Sequence, residues 1–432
     1  MKDLIMPTEV ETTLQPEASA ELEQANFVSA TADTLRESID DGFAPQVART
    51  NDEARLLLEH WESFSQSRSD VPASLHAHSS FYLPFLTSNS SCRSPRVILW
   101  ESASAPRGIL IARIAMTRAK CSLGPISVPM PQLKTLEIVH GGFVADSPEV
   151  AQQQLQYLRD LLASKEINCV AVHHLACDSA LGEALSQGLR KKGEGNPVHT
   201  EHWYTELTDS EGEPVITNSS KTRGSFRRKD RKLERHFENK IQIDEITEPD
   251  QIKSLITAAS KIGDQSYQGG LGVGVRDNPH WQSILRILAE NGQLRGFLLQ
   301  ADGKNIAYAV GGLCNGCFCY MAASFLPEHR EIAPGGYLLR RILEKLQAEG
   351  VRWFDFGFGD ASYKALYGNK NDQEVTLHFY GNSIAAQVTR LADGATRVGK
   401  QWTRTLLVKS GLMTWTKRQW RRRLEHRTNK PV

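Results

Sequence analysis

Glu331–Lys364 reads "EIAPGGYLLRRILEKLQAEGVRWFDFGFGDASYK", a helix followed by a strand. Pro334 suits a first helical position, where its missing N–H is no loss. Leu338, Leu339, Ile342, Leu343 and Leu346 then recur on one face at helical spacing. Gly335 and Gly336 occupy the first turn, although each costs about 0.8–1 kcal/mol against alanine in a helix. A helix N-terminus presents free N–H groups and partial positive charge, so it suits an anion such as a pyrophosphate. Glycines there let a ligand approach the backbone, and His329 and Arg330 add charge just upstream. The competing reading is a tight turn packed on the sheet.

In the strand, alternation puts Phe354, Phe356 and Phe358 on a core face. Val351, Trp353, Asp355, Gly357 and Gly359 share the other face. A carboxylate among such neighbours is costly unless paired or used. Asp360, Tyr363 and Lys364 follow at the strand's C-terminal end, where open α/β sheets place their chemistry. A purely structural role for Asp355 is a salt bridge to Lys364 or to an arginine.

Upstream, "NIAYAVGGLCNGCFCYMAASF" is a hairpin turning at Asn315-Gly316. Cys314, Cys317 and Cys319 lie in its strands, with no partner pair at zinc-finger spacing, so they read as small apolar residues and no metal site is expected. The first half follows a similar plan. Arg96–Trp100 and Gly108–Met116 are strands, and "TLEIVHGGFVADSPEV" leads from a strand into a helix capped by Ser147 and Pro148. Leu155, Leu158, Leu161 and Leu162 form its buried stripe, and Cys169–Val172 is the returning strand. This helix starts beside Asp146 and Glu149 and lacks glycine, a charge pattern that repels phosphate. The pattern suggests two α/β units, one suited to an anionic ligand and one not.

The expected layout is an acidic, disordered or loosely helical segment 1–50, units at 51–215 and 216–382, and a basic helical tail 383–432. The second unit opens with the basic helix "KTRGSFRRKDRKLER", whose Asp230 and Glu234 fit i,i+4 pairing on a solvated face. A net charge of +1 over 432 residues argues against a dedicated nucleic-acid binder. Seven scattered cysteines do not make a disulfide framework. The start lacks an apolar leader, and no run approaches the ~20 apolar residues of a membrane span. These features read as cytoplasmic. Trp402, Trp415 and Trp420 among the tail's arginines suit a peripheral membrane contact or packing on the protein's own sheet.

Ala333-Pro334-Gly335, Asp355-Phe356, Gly359-Asp360 and Tyr363-Lys364, within residues 220–381, resemble the GNAT-fold acyltransferases of the FemA/FemB-like and cellulose-biosynthesis-associated type. The resemblance implies two tandem GNAT-like units, each a mixed sheet flanked by helices, the second catalytic. It implies an acyl-CoA donor with no tightly bound cofactor, and a small-molecule or glycan amine as acceptor. Donor contacts then fall to Arg330, Pro334, Gly335 and Gly336, although "REIAPGG" spaces its arginine and glycines differently from the usual acyl-CoA loop. Asp355 or Asp360 would handle the amine, Tyr363 the leaving thiolate and Lys364 an anionic acceptor. Transfer from aminoacyl-tRNA, with Arg227, Arg228 and Arg231 on the RNA, and a non-catalytic adaptor of an envelope-polysaccharide system are the alternatives.

Overall fold

The computed structural model describes residues 44–395 except 69, 89–91, 103–104, 120, 124–125, 189–196, 216–217, 267–273 and 360. The first half builds β1 (Ala44–Ala48), α1 (Asn51–Leu56), α2 (Leu58–Gln66), α3 (Ser79–Ser88), β2 (Cys92–Ser102) and β3 (Ala105–Arg118). A small ribbon of β4 (Cys121–Leu123) and β5 (Ile126–Val128) comes next. Then follow β6 (Gln132–Ala145), α4 (Pro148–Ala163), β7 (Cys169–Ala176), α5 (Ala180–Gly188) and β8 (Val198–Glu206). The second half contributes α6 (Ser220–His236), β9 (Ile241–Ile246), α7 (Ile252–Gln265), α8 (Pro279–Glu290), β10 (Leu294–Ala301), β11 (Lys304–Cys314) and β12 (Cys317–Phe325). It ends with α9 (Pro334–Ala348), β13 (Trp353–Phe358), α10 (Ser362–Tyr367) and β14 (Lys370–Tyr380).

Local expectations hold where local chemistry decides. Ser147 Oγ accepts the Val150 N–H at the start of α4, and Asn315 and Gly316 take positive φ (43° and 69°) between β11 and β12. Cys314, Cys317 and Cys319 are buried, free thiols in these strands. Within the segment read as disordered or loosely helical, Ala44–Ala48 instead pairs along β2. Residues 1–43 and most of the basic tail, 396–432, lie outside the described residues, and residues 384–395 are helical. Among the described residues, no helix is long and apolar enough to cross a membrane.

The main sheet runs β1-β2-β3-β6-β7-β14-β8-β13-β12-β11-β10-β9 without a break. Its pairs are antiparallel except β6 with β7 and β12 with β13. The last strands of the two halves are exchanged. β8 pairs with β13 of the second half, while β14 pairs with β7 of the first and with β8. Hydrogen-bonded ladders and both apolar layers therefore tie the halves together. In the first half, α4 through Leu155, Leu158 and Leu161 and α5 through Leu181 and Leu185 cover one face, over Ile138, Val170 and Val172. On the second, α6, α9 and α10 cover one face, where Leu338, Leu339, Ile342 and Leu346 pack on Phe297, Phe318, Phe354 and Phe356. α7 and α8 cover the other, on Leu298, Tyr308, Val310 and Trp353.

The core face read for β13 holds for Phe354 and Phe356 and fails at Phe358. The β8–β13 register slips between Asp355 and Gly357, with Gly357 at φ 72°. The extra residue reverses the alternation, as a bulge must. Phe358 accordingly leaves the core and stacks on His174, ring centroids 3.4 Å apart.

Candidate active site at the parting of two parallel strands

The ladder between β12 and β13 is only three pairs long, Cys317↔Trp353, Phe318↔Phe354 and Cys319↔Asp355. Beyond Asp355 both strands continue unpaired with each other, to Phe325 and Phe358. The chain then returns through a short 3-10 turn into α9, with Ala333 left-handed at φ 52°. Pro334 is the first helical residue, as its chemistry predicts, and Arg330 is exposed beside it. A Cβ on Gly335 would stand 3.0 Å from the Phe325 ring, and one on Gly336 would stand 3.2 Å from Arg340 Nη1. Gly335 thus lets α9 sit tightly at the end of β12, and Gly336 leaves room for the Arg340 guanidinium. Arg330, Pro334, Gly335 and Gly336 occupy one corner at the mouth of the parting.

The first half repeats this geometry. β6 and β7 pair from Thr135↔Cys169 to Ile138↔Val172 and then separate. At the start of its helix α4, Asp146 is ion-paired with Arg107 and Glu149 is exposed. Of the two acidic residues read at this helix start, Asp146 is therefore offset by Arg107 and Glu149 alone carries an unbalanced negative charge.

Between the partings runs a row of polar groups, one from each of five neighbouring strands: the half-buried His140 and His174 and the buried Glu374, His202 and Asp355. His202, with no exposed surface, donates Nε2–H to Asp355 Oδ1 (2.7 Å) and Nδ1–H to Glu374 Oε1 (2.8 Å). Tyr204, two residues along the same face of β8, reaches His202 Nδ1 and donates to Glu374 Oε1 at 3.3 Å. His140 Nε2 stands 3.7 Å from Glu374 Oε1 and His174 Nδ1 stands 3.6 Å from Oε2. Burial opposes charge on His202, but Asp355 and Glu374 outweigh it and raise the imidazole to about 9. Burial also works against the Asp355 and Glu374 carboxylates. The neighbouring histidines prevail and hold both below their usual range. His174 is driven the other way, to about 3, by burial and by His140.

Asp355 therefore spends its charge on His202 and on the Gly357 N–H (2.6 Å), and not on Lys364 or an arginine. Lys364 is buried as well, and its ammonium donates to the carbonyls of Gly357 (2.9 Å) and Phe358 (2.6 Å). Burial lowers Lys364 to about 8, with Asp355 opposing. Tyr363 stays 39 % exposed, its ring edge-on to Phe356 at 6.3 Å. Asp360 lies outside the described residues. Of the residues that the sequence singles out, Asp355 lies in this row and Lys364 beside it, whereas His202, Glu374, Tyr204, His140 and His174 are not singled out by it. The only local signal was a His and a Tyr at alternate positions of "EHWYTE".

The basic helix corrects a further expectation. Asp230 does not lie on a solvated face. It is buried and accepts Arg340 Nε at 3.0 Å, while Arg340 Nη1 donates to Tyr367 Oη at 2.6 Å. Arg227, Arg228 and Arg231 remain exposed on the outer side of α6.

Residues 220–365 match the acetyltransferase (GNAT) domain family, so this part of the chain is a GNAT acyltransferase domain. Over the larger molecule the chain is similar to the crystal structure of FemX, with 13% identity and a TM-score of 0.55, covering 79% of this chain and 98% of that one. It is also similar to a tandem GNAT protein from the clavulanic acid biosynthesis pathway (11% identity, TM-score 0.44, 79% and 100% covered). A third similar structure is L-PGS from Bacillus licheniformis (13%, 0.42, 79% and 96%). At such identities the FemX likeness speaks for the fold. No curated protein matches the sequence.

Proposed function

We propose that the chain is an N-acyltransferase that moves an acyl group from acyl-CoA to an amine, using the parting between β12 and β13. The observation that carries this reading is the separation of these strands immediately after Asp355, beneath the N-terminus of α9. The donor's pyrophosphate would meet that helix end and Arg330, with Gly335 and Gly336 allowing close backbone approach. The unpaired strand edges supply N–H groups to hold the pantetheine arm and to polarise the thioester carbonyl.

The neutral amine attacks the thioester carbon, a C–N bond forms, and collapse of the tetrahedral species breaks the C–S bond. The amine's proton leaves through water towards Asp355 or Asp360, and the thiolate takes a proton from Tyr363. Lys364 supports the reaction indirectly in this reading, because its ammonium holds the two carbonyls of the bulge that aims Asp355. The resemblance to FemA/FemB-like and cellulose-associated enzymes favours a small-molecule or glycan amine of envelope or polysaccharide metabolism as acceptor, in the cytoplasm.

A thermal-shift series with acetyl-CoA, longer acyl-CoAs and free CoA tests the donor, because a ligand of the native state raises its apparent stability. Stabilisation by CoA species supports the reading, and its absence with all of them overturns it. The exposed Arg227, Arg228 and Arg231 favour an aminoacyl-tRNA donor as the second reading, supported by salt-dependent tRNA binding that their removal abolishes.

A further inference from the structure

We propose that the polar row joining the two halves is a site for one divalent transition-metal ion of zinc's class, held by His140 Nε2, His202 Nδ1 and Glu374. One ligand atom from each of these residues falls within 4.8 Å of the others. Two donors on one tetrahedral ion at zinc distances stand about 3.3–3.5 Å apart. Glu374 Oε1 lies 2.8 Å from His202 Nδ1 and 3.7 Å from His140 Nε2, which bracket that value.

The outer contacts match what a metal-bound imidazole needs, a partner on its other nitrogen that fixes the ring and its tautomer. His202 has Asp355 on Nε2 at 2.7 Å, and His140 has the Ser74 hydroxyl on Nδ1 at 3.0 Å. Both rings therefore turn their remaining nitrogen towards Glu374. In the metal-free chain a proton on His202 Nδ1 holds the same position.

A second, independent observation concerns the other carboxylate oxygen. Glu374 is 4 % exposed, and its Oε2 is buried with no hydrogen-bond partner. It faces His174 Nδ1 across 3.6 Å, and that atom is equally buried and unpartnered. Leaving a carboxylate oxygen so placed is costly. Bidentate coordination by Glu374 gives Oε2 the cation it lacks. Two imidazoles and a carboxylate form a borderline donor set, suited to Zn2+ and its neighbours rather than to Mg2+ or Ca2+. The ligands come from β6, β8 and β14, so the ion would clamp both exchanged strands to the first half. Acyl transfer as described above does not require it.

The test uses the full chain, stripped with chelator and dialysed against Zn2+, and separately against Co2+ for its visible absorption. One equivalent of Zn2+ per chain and strong Co2+ bands of a four- or five-coordinate site are expected. Both should be lost in His140→Ala and Glu374→Gln and kept in His236→Gln, a change on the surface of α6. Ser74→Ala should weaken Zn2+ binding about 10- to 100-fold. Failure of the stripped wild-type chain to take up Zn2+ overturns the site, and so does unchanged uptake in His140→Ala. His140 is partly exposed, so this variant stays informative if Glu374→Gln does not fold, with circular dichroism as the check. Each outcome is independent of CoA binding.

Discussion

His202 and Asp355 form a buried ion pair, Nε2 to Oδ1 at 2.7 Å, between the last strand of the first half and the β13 strand of the second. Asp355→Asn removes the charge that, with Glu374, keeps His202 protonated. Breaking one side of a buried pair typically costs about 3–5 kcal/mol. Urea denaturation should show a loss of that order, and acyl transfer should fall by at least tenfold. A variant with wild-type stability would remove the pair from the account of the fold.

Lys364 sets a stability profile of its own. Folding lowers it from 10.5 to about 8, so between these values the unfolded chain holds a proton that the folded chain has released. Its contribution to stability therefore rises with pH across that window, and below pH 8 the burial penalty is present in full. Relative to Lys364→Met, the wild-type chain should gain stability between pH 8 and 10. Parallel denaturation curves for the two across this range would refute the assignment.

Asp230 and Arg340 predict a contrast within one helix. Asp230→Ala leaves the Arg340 guanidinium buried and short of its partner, at a cost of about 3–5 kcal/mol. Arg227→Ala, on the exposed side, should change stability by less than about 0.5 kcal/mol. Thermal melts of the two variants check this, and equal effects would place Asp230 on the surface.

Gly335 links the fold to the donor. Valine there pushes a branched side chain into the Phe325 ring and the mouth of the parting, since a Cβ alone stands 3.0 Å away. Gly335→Val should lose the stabilisation by CoA while keeping a cooperative melt. An unchanged CoA shift would move the pyrophosphate away from this helix end.

The elements legible in the sequence are those decided within a few residues. The Ser147-Pro148 cap, the Asn315-Gly316 turn and the leucine stripe of α9 carry their geometry in backbone preference and periodicity. The β13 strand marks where that reasoning stops. Its alternation holds up to Phe356, and one bulged residue then carries Phe358 to the histidine side. Asp230 shows the same limit. Its i,i+4 neighbours made it look solvated, whereas a helix more than a hundred residues later supplied its partner.

The sequence by itself determined the helix–strand repeat, the glycine start of α9 and the placing of Asp355 within the strand that follows it. Only the tertiary structure decided the exchange of β8 and β14 and what Asp355 meets. His202 comes from 153 residues before Asp355, and Glu374 from 172 residues after His202. Strand order is set by ladders and packing summed over the whole sheet, which no local pattern records. Once β14 lies between β7 and β8, those buried charges meet, and they pair with one another beside the Gly357 N–H and the Tyr204 hydroxyl.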